Sequence, residues 1–250
     1  MFFKNLNLLN GQPKLAVLID PDRHTDATLQ QLAALAVNSR VDVFLVGSSL
    51  LLQNRFEATI AYLKQHTTIP VVIFPGNNYQ ISAQADALLL LSLISGRNAE
   101  YLIGQHVTAS TAIKQAGIEV LPTGYMLIDG GRTSTTSYIT QTLPIPNDKP
   151  DVAVATALAG EQLGLKLIYL EAGSGAHYTV NPQLVKAVKQ QVSLPVIVGG
   201  GIRTAAQAEQ LCLAGADMLV VGNVLEKDPE VLLEISLAVH SVRPIPPTVV

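Results

Sequence analysis

Short apolar runs recur along the chain, each followed by a longer stretch whose apolar positions keep helical spacing. The runs at 15–20, 41–47, 70–74, 86–91, 118–123, 167–171, 195–199 and 218–222 read as eight strands. Most are continuously apolar, as strands buried on both faces are, and this predicts a parallel sheet covered by helices. Four helix starts are marked by side chains. Thr25 and Asp26 open a helix to about Val37, and Asn98 opens one to about Gln115 that Gly117 stops. Asn181 followed by Pro182 pairs a cap with proline at the first helical position, and Thr204 opens a helix to Ala214 that Gly215 stops. After the third strand, residues 75–84 hold a turn or two at most, so that helix is expected to be short or missing.

Eight strand–helix units in 250 residues predict a single (β/α)8 TIM barrel spanning 1–250. An open doubly wound sheet is disfavoured, because its glycine fingerprint belongs in the first unit and the glycine-rich turns here fall in the last three. The polar insertion at 130–150, with Thr133, Ser134, Thr135, Thr136 and Ser137, follows a strand and should therefore lie over the C-terminal mouth.

Composition narrows the classes. Only 14% of the residues are charged against 48% apolar, where a soluble domain carries roughly 25% charge. A globule of this mass buries roughly 70% of its unfolded surface. The remaining shortfall calls for surface hidden between copies or given to an apolar ligand. No apolar run reaches the length of a membrane span, and Lys4, Asn5 and Asn7 interrupt the N-terminal stretch that a signal peptide would need. A net charge of −3 without a basic cluster argues against nucleic acid, and the lone Cys212, among Leu211, Leu213 and Ala214, reads as a buried thiol. A cytoplasmic location is expected.

In a barrel the chemistry stands at the C-terminal ends of the strands. Gly173, Ser174 and Gly175 after strand six, Gly200 and Gly201 after strand seven, and Gly222 with Asn223 after strand eight bare backbone N–H groups at helix starts, which is how phosphate is held. Asp20 and Asp22 after strand one, with Ser48 and Ser49 one strand over, offer oxygen to Mg2+; one of the two aspartates is expected to cap a turn. Glu171 stands beside the phosphate loop, with Tyr169 on the same strand face, and could hold or deprotonate a hydroxyl. Of the five histidines, His66 and His240 fall in helix ends or tails, His24 and His106 stand alone, and His177 lacks a partner at metal-ligand spacing.

Leu-Ile-Asp-Pro-Asp-Arg at 18–23, Phe-Pro-Gly-Asn at 74–77, Leu-Pro-Thr-Gly-Tyr at 121–125, Tyr-Leu-Glu-Ala-Gly-Ser-Gly at 169–175, Val-Gly-Gly-Gly-Ile-Arg at 198–203 and Val-Gly-Asn at 221–223 resemble the geranylgeranylglyceryl phosphate synthase family of prenyltransferases, over about residues 4 to 240. The resemblance implies an ether bond made between sn-glycerol 1-phosphate and a polyprenyl diphosphate, with Mg2+ and release of diphosphate. By match, Tyr169, Leu170, Glu171, Ala172, Gly173, Ser174, Gly175, Gly200, Gly201, Gly222 and Asn223 would hold glycerol phosphate. Glu171 and Tyr169 are the catalytic candidates, and Asp20 and Ser49 would bind the metal. The shorter bacterial branch has a lysine where Leu18 stands, so the likeness is to the longer, archaeal-like branch. That implies a geranylgeranyl donor and a homo-oligomer, dimer or hexamer. Two other readings stay open: an isomerase or lyase of a small phosphorylated metabolite, against which no lysine stands at a strand end, and a non-catalytic phosphate-binding barrel.

Overall fold

Burial on both faces turns the eight apolar runs into a closed ring of parallel strands in the computed structural model, which describes residues 4, 6–8 and 11–242. The reading of the first ten residues therefore lies mostly outside the described residues. The strands are β1 (Lys14–Ile19), β2 (Val43–Val46), β3 (Val71–Ile73), β4 (Ala87–Leu93), β5 (Glu119–Leu127), β6 (Leu167–Glu171), β7 (Val196–Gly199) and β8 (Met218–Val221). They pair in sequence order, and β1 closes the ring on β8 with Val17 opposite Val221.

Alternate residues divide into two cores. Ala16, Leu45, Val72, Leu89, Leu121, Tyr125, Tyr169, Ile197 and Val220 fill the barrel, joined by Leu8. Leu15, Val17, Phe44, Ile73, Leu170 and Val198 point outward under the helices. Those are α1 (Asp26–Asn38), α2 (Phe56–His66), α3 (Gln105–Ala116), α4 (Thr135–Thr140), α5 (Pro150–Gln162), α6 (Pro182–Gln191), α7 (Ala205–Leu213) and α8 (Val231–Ser241). The side-chain caps expected at Thr25, Asn181 and Thr204 are formed. Cys212 is buried in α7, and desolvation pushes its thiol up to about 12, so it is inert.

Three elements differ from expectation. β4 and β5 run on to Leu93 and Leu127, because the two strands stay paired through Leu93 and Tyr125. The helix expected from Asn98 starts with a wide π turn (Glu100–Gly104) before α3, although Asn98 Oδ1 does accept the Glu100 N–H at 3.0 Å. The turns after Gly222 do not lead straight into a helix: Pro229 intervenes and α8 starts only at Val231. No described helix lies between β3 and β4, as the short interval predicts.

At the opposite end from the mouth, three aspartates repeat one device. Asp42, Asp86 and Asp217 each precede a strand and accept an N–H from the first or second residue of the preceding strand, from Leu15 (2.9 Å), Val71 (2.8 Å) and Val196 (2.7 Å). Each also faces a base: Lys14 and His240, Lys64, and Lys189. Burial pushes the Asp42 carboxyl up, but the His240, Leu15 and Lys14 contacts outweigh it and hold it below its ordinary value. No described helix is long and apolar enough to cross a membrane.

Candidate active site

Strand period places Tyr169 and Glu171 on the inner face of β6, and both are buried, at 0% and 6% exposure. Tyr169 stacks on Phe74 at 5.2 Å and packs against Tyr125 at 5.3 Å, so its ring is fixed on two sides. Its hydroxyl has no hydrogen-bond partner among the described residues, although the group is buried and borders the mouth cleft. The Glu171 carboxyl faces that hydroxyl. Glu171 Oε1 accepts the Gly173 N–H at 2.7 Å. Burial pushes the Glu171 carboxyl up to about 7, outweighing the Gly173 N–H and the nearby Tyr169 hydroxyl, which favour the charged form. A carboxyl poised there exchanges a proton at neutral pH.

The glycines of β7 make room for that carboxylate. A methyl on Gly199 would lie 2.9 Å from Glu171 Oε2, and one on Gly200 would lie 2.6 Å from Oε1. Gly200 and Gly201 also hold φ of 85° and 73°, which side chains resist. Asn223 Oδ1 accepts from Ser174 Oγ (2.8 Å) and from the Gly175 N–H (3.1 Å), tying the loops after β6 and β8 together. The N–H groups of Ser174, Gly200, Gly201 and Asn223 donate to nothing within the described residues and border one cleft. Gly222 differs from its neighbours: its φ is ordinary, and the nearest atom to an added methyl is Leu18 O at 3.3 Å. Leu170 and Ala172 do not line the cleft: both face the outer core, and the Ala172 N–H is spent on Gly199 O.

Across the mouth, Asp20 is held in one orientation. Its Oδ1 accepts the Asp22 N–H at 3.0 Å, its Oδ2 accepts the Ser48 hydroxyl at 2.9 Å, and Arg23 Nε stands 3.9 Å from Oδ2. Asp22 turns away to accept the Leu52 and Gln53 N–H groups at 2.5 and 3.2 Å. Of the two serines it is thus Ser48 that touches Asp20. Ser49 bonds Thr136 of the 130–150 insertion at 2.8 Å, which brings that segment over the mouth. Among the described residues no three His, Cys, Asp or Glu side chains cluster closely enough to hold a metal. One fixed carboxylate and neighbouring hydroxyls still suit Mg2+, which takes one or two protein carboxylates and fills its shell with phosphate oxygen and water.

The cleft joining both sides has a volume of about 630 Å³. Its wall at β4, the π turn and α3 is mainly apolar, made by Leu90, Leu91, Leu93, Tyr101, Ala109 and Ile113, with Gln105 and His106 as its polar members. With no helix after β3, Leu90 and Leu91 are only half-buried by the chain itself.

Three contributors had no sequence signal. Gln80 is a lone glutamine in a polar loop, yet it is 1% exposed and bonds Ser48. Arg132 lies over the glycine loop, its Nη1 3.4 Å from where a Gly175 methyl would stand. Thr136 is one hydroxyl among several in the insertion, and nothing local singles it out.

The PcrB family model matches residues 11–240. A protein named geranylgeranylglyceryl phosphate synthase from Spirosoma linguale is 49% identical over 93% of each chain. The crystal structure of (S)-3-O-geranylgeranylglyceryl phosphate synthase from Thermoplasma acidophilum, in complex with substrate sn-glycerol-1-phosphate, superposes with a TM-score of 0.91 at 34% identity, covering 97% of this chain and 99% of that one. The tryptophan synthase alpha chain from Legionella pneumophila, with a TM-score of 0.55 at 18% identity over 95% and 96% of the chains, shares the fold alone. Family model, identity across nearly the whole length and superposed barrel agree: the chain belongs to the PcrB family, with the geranylgeranylglyceryl phosphate synthases.

Proposed function

We propose that this protein joins sn-glycerol 1-phosphate to geranylgeranyl diphosphate through an ether bond. The observation that carries this reading is the position of Glu171, a buried carboxyl poised near neutrality between unspent glycine amides on one side and an apolar-walled cleft on the other. The phosphate sits on the N–H groups of Ser174, Gly200, Gly201 and Asn223, with Arg132 alongside. The Tyr169 hydroxyl and Glu171 then hold the glycerol end. Gly222 is compatible with this placement: the chain's own packing crowds an added methyl there, with Leu18 O at 3.3 Å, but far less than at Gly200.

The prenyl chain lies along Leu90, Leu91, Leu93 and Ile113, and its diphosphate faces Asp20. Mg2+, held by Asp20 with Ser48 and Ser49 nearby, would neutralise charge on the departing diphosphate. The glycerol hydroxyl oxygen attacks the allylic carbon as that carbon's bond to diphosphate breaks. Glu171 takes the hydroxyl proton, and the electron pair of the broken bond leaves with diphosphate. Tyr169 and the fixed phosphate restrict the hydroxyl to the approach that reaches this carbon.

Outward-facing apolar side chains around α5 (Val152, Leu163) and on α7 and α8 (Leu213, Leu233, Leu237) support burial between copies of the chain. Incubation with sn-glycerol 1-phosphate, radiolabelled geranylgeranyl diphosphate and MgCl2 tests the activity. Label is expected in an ether lipid; label remaining wholly in the diphosphate or its alcohol would defeat the reading.

A further inference from the structure

The segment between β3 and β4 lacks a helix, yet it is tied to its neighbours at three residues. Ser82 Oγ donates to Glu57 of α2 at 2.7 Å, and the Asn78 N–H and Nδ2 donate to Gln105 (3.0 Å) and Thr108 (2.9 Å) of α3. The third anchor is Gln80, buried at 1% exposure. Its Nε2 donates to Ser48 O at 2.7 Å and its Oε1 accepts the Ser48 N–H at 3.2 Å, so one carboxamide satisfies both backbone groups of one residue. The two loops are also interlocked sterically. A methyl on Gly47 would lie 1.9 Å from Phe74 O, and one on Gly76 would lie 2.0 Å from Ser48 O.

Ser48 is the residue whose hydroxyl donates to Asp20 Oδ2 at 2.9 Å. Gln80 fixes the backbone of Ser48, Ser48 fixes one carboxylate oxygen of Asp20, and the Asp22 N–H fixes the other. We infer that Gln80 is a positioning residue for the diphosphate side of the cleft, acting through Ser48 on the Asp20 carboxylate. The segment that replaces the third helix is thereby a brace for this half of the site. The inference rests on the reading that Asp20 faces diphosphate. It makes no claim on the glycerol phosphate half, which the loops after β6, β7 and β8 build separately.

Isothermal titration of the full-length protein with inorganic diphosphate in MgCl2, and separately with sn-glycerol 1-phosphate, tests it. Gln80→Met keeps the side-chain volume and loses both bonds to Ser48. It is expected to weaken diphosphate binding about 10-fold, as loss of hydrogen bonds to a buried backbone implies, and to leave glycerol phosphate binding unchanged. In steady-state assays KM for the prenyl diphosphate rises and KM for glycerol phosphate stays. Ser48→Ala removes the hydroxyl that Gln80 positions, so Gln80→Met added to it should weaken binding by less than about 2-fold more. Should Gln80→Met fail to fold, Gln80→Asn keeps a neutral carboxamide but stops one methylene short of Ser48, and is expected to cost about 3-fold. Unchanged diphosphate binding in these variants, an equal loss at both ligands, or full additivity with Ser48→Ala overturns the inference. Asp20→Asn separates the levels: if it binds diphosphate like wild type, the reading of Asp20 itself falls. If Asp20→Asn weakens binding and Gln80→Met does not, only the brace falls.

Discussion

The Tyr169 hydroxyl and the Glu171 carboxylate converge on one point above Gly199, where a methyl would lie 2.5 Å from the first and 2.9 Å from Oε2 of the second. Both groups are buried, and the hydroxyl has no partner among the described residues. A carboxyl placed there stays protonated to about pH 7, whereas the same group in the unfolded chain ionises near its ordinary value of 4.5. Between those values the folded state holds more protons than the unfolded state, so this residue's contribution to stability falls as pH rises from 4.5 to about 7. Glu171→Gln removes that cost. Its stability at pH 8 should exceed wild type by on the order of 3 kcal/mol, read as a higher melting temperature, and the gain should vanish near pH 4.

The same substitution removes the proton acceptor. Turnover is expected to fall about 10²-fold, and wild-type kcat should rise through about pH 7 while the profile of the Glu171→Gln variant is flat there. Scanning calorimetry and a pH–rate series on one preparation read both effects. Retained turnover together with raised stability would reduce Glu171 to a positioning group.

At Asp20 the prediction concerns metal dependence. Asp20→Ala should lower turnover about 10²-fold, and added MgCl2 should not restore it, because the fixed carboxylate is lost and not merely unsaturated. A rate that recovers fully across the Mg2+ titration would dissociate Asp20 from the metal.

Two glycines should respond differently to alanine. Gly200→Ala sets a methyl 2.6 Å from Glu171 Oε1 and 2.7 Å from the Gly173 nitrogen at a φ of 85°, so both folding and phosphate binding should suffer. Gly222→Ala meets only Leu18, whose O is nearest at 3.3 Å. It should melt within a few degrees of wild type and lose about 10-fold in affinity for sn-glycerol 1-phosphate, where the methyl intrudes on the ligand. Equal melting losses in both variants would contradict this division.

At the far end of the barrel, Asp217→Ala strands the buried Val196 N–H and removes the partner of Lys189. A loss of about 2–4 kcal/mol in denaturant unfolding is expected, with kcat unchanged below the transition.

The helix starts at Thr25, Asn181 and Thr204 were legible because a side chain caps the first turn, and the one at Asn98 because its Oδ1 accepts the Glu100 N–H, whereas Ser134 caps α4 unannounced among neighbouring hydroxyls. The helices starting after Arg55, Lys149 and Glu230 have no side-chain cap, and of the three only the one after Lys149 is punctuated, by Pro150 at its first position. The strands were legible because both faces are buried, and their ends were not, because pairing between β4 and β5 carries them onward. The glycine loops and Glu171 announced themselves by residue type at strand ends. The link from Gln80 to Ser48 did not. It is a contact between residues 32 apart, which no local pattern encodes.

Two of the three aspartate devices flank the place where the chain's beginning meets its end. Ser236 and His240 of α8 reach Ser39 and Asp42, while the Lys14 N–H donates to Asp217 O. Asp20 belongs to the first strand's loop and Gly222 to the last. During synthesis the ring therefore stays open until β8 (Met218–Val221) has left the ribosome and paired with β1, and the site cannot exist on a nascent chain however completely its first six strands have folded.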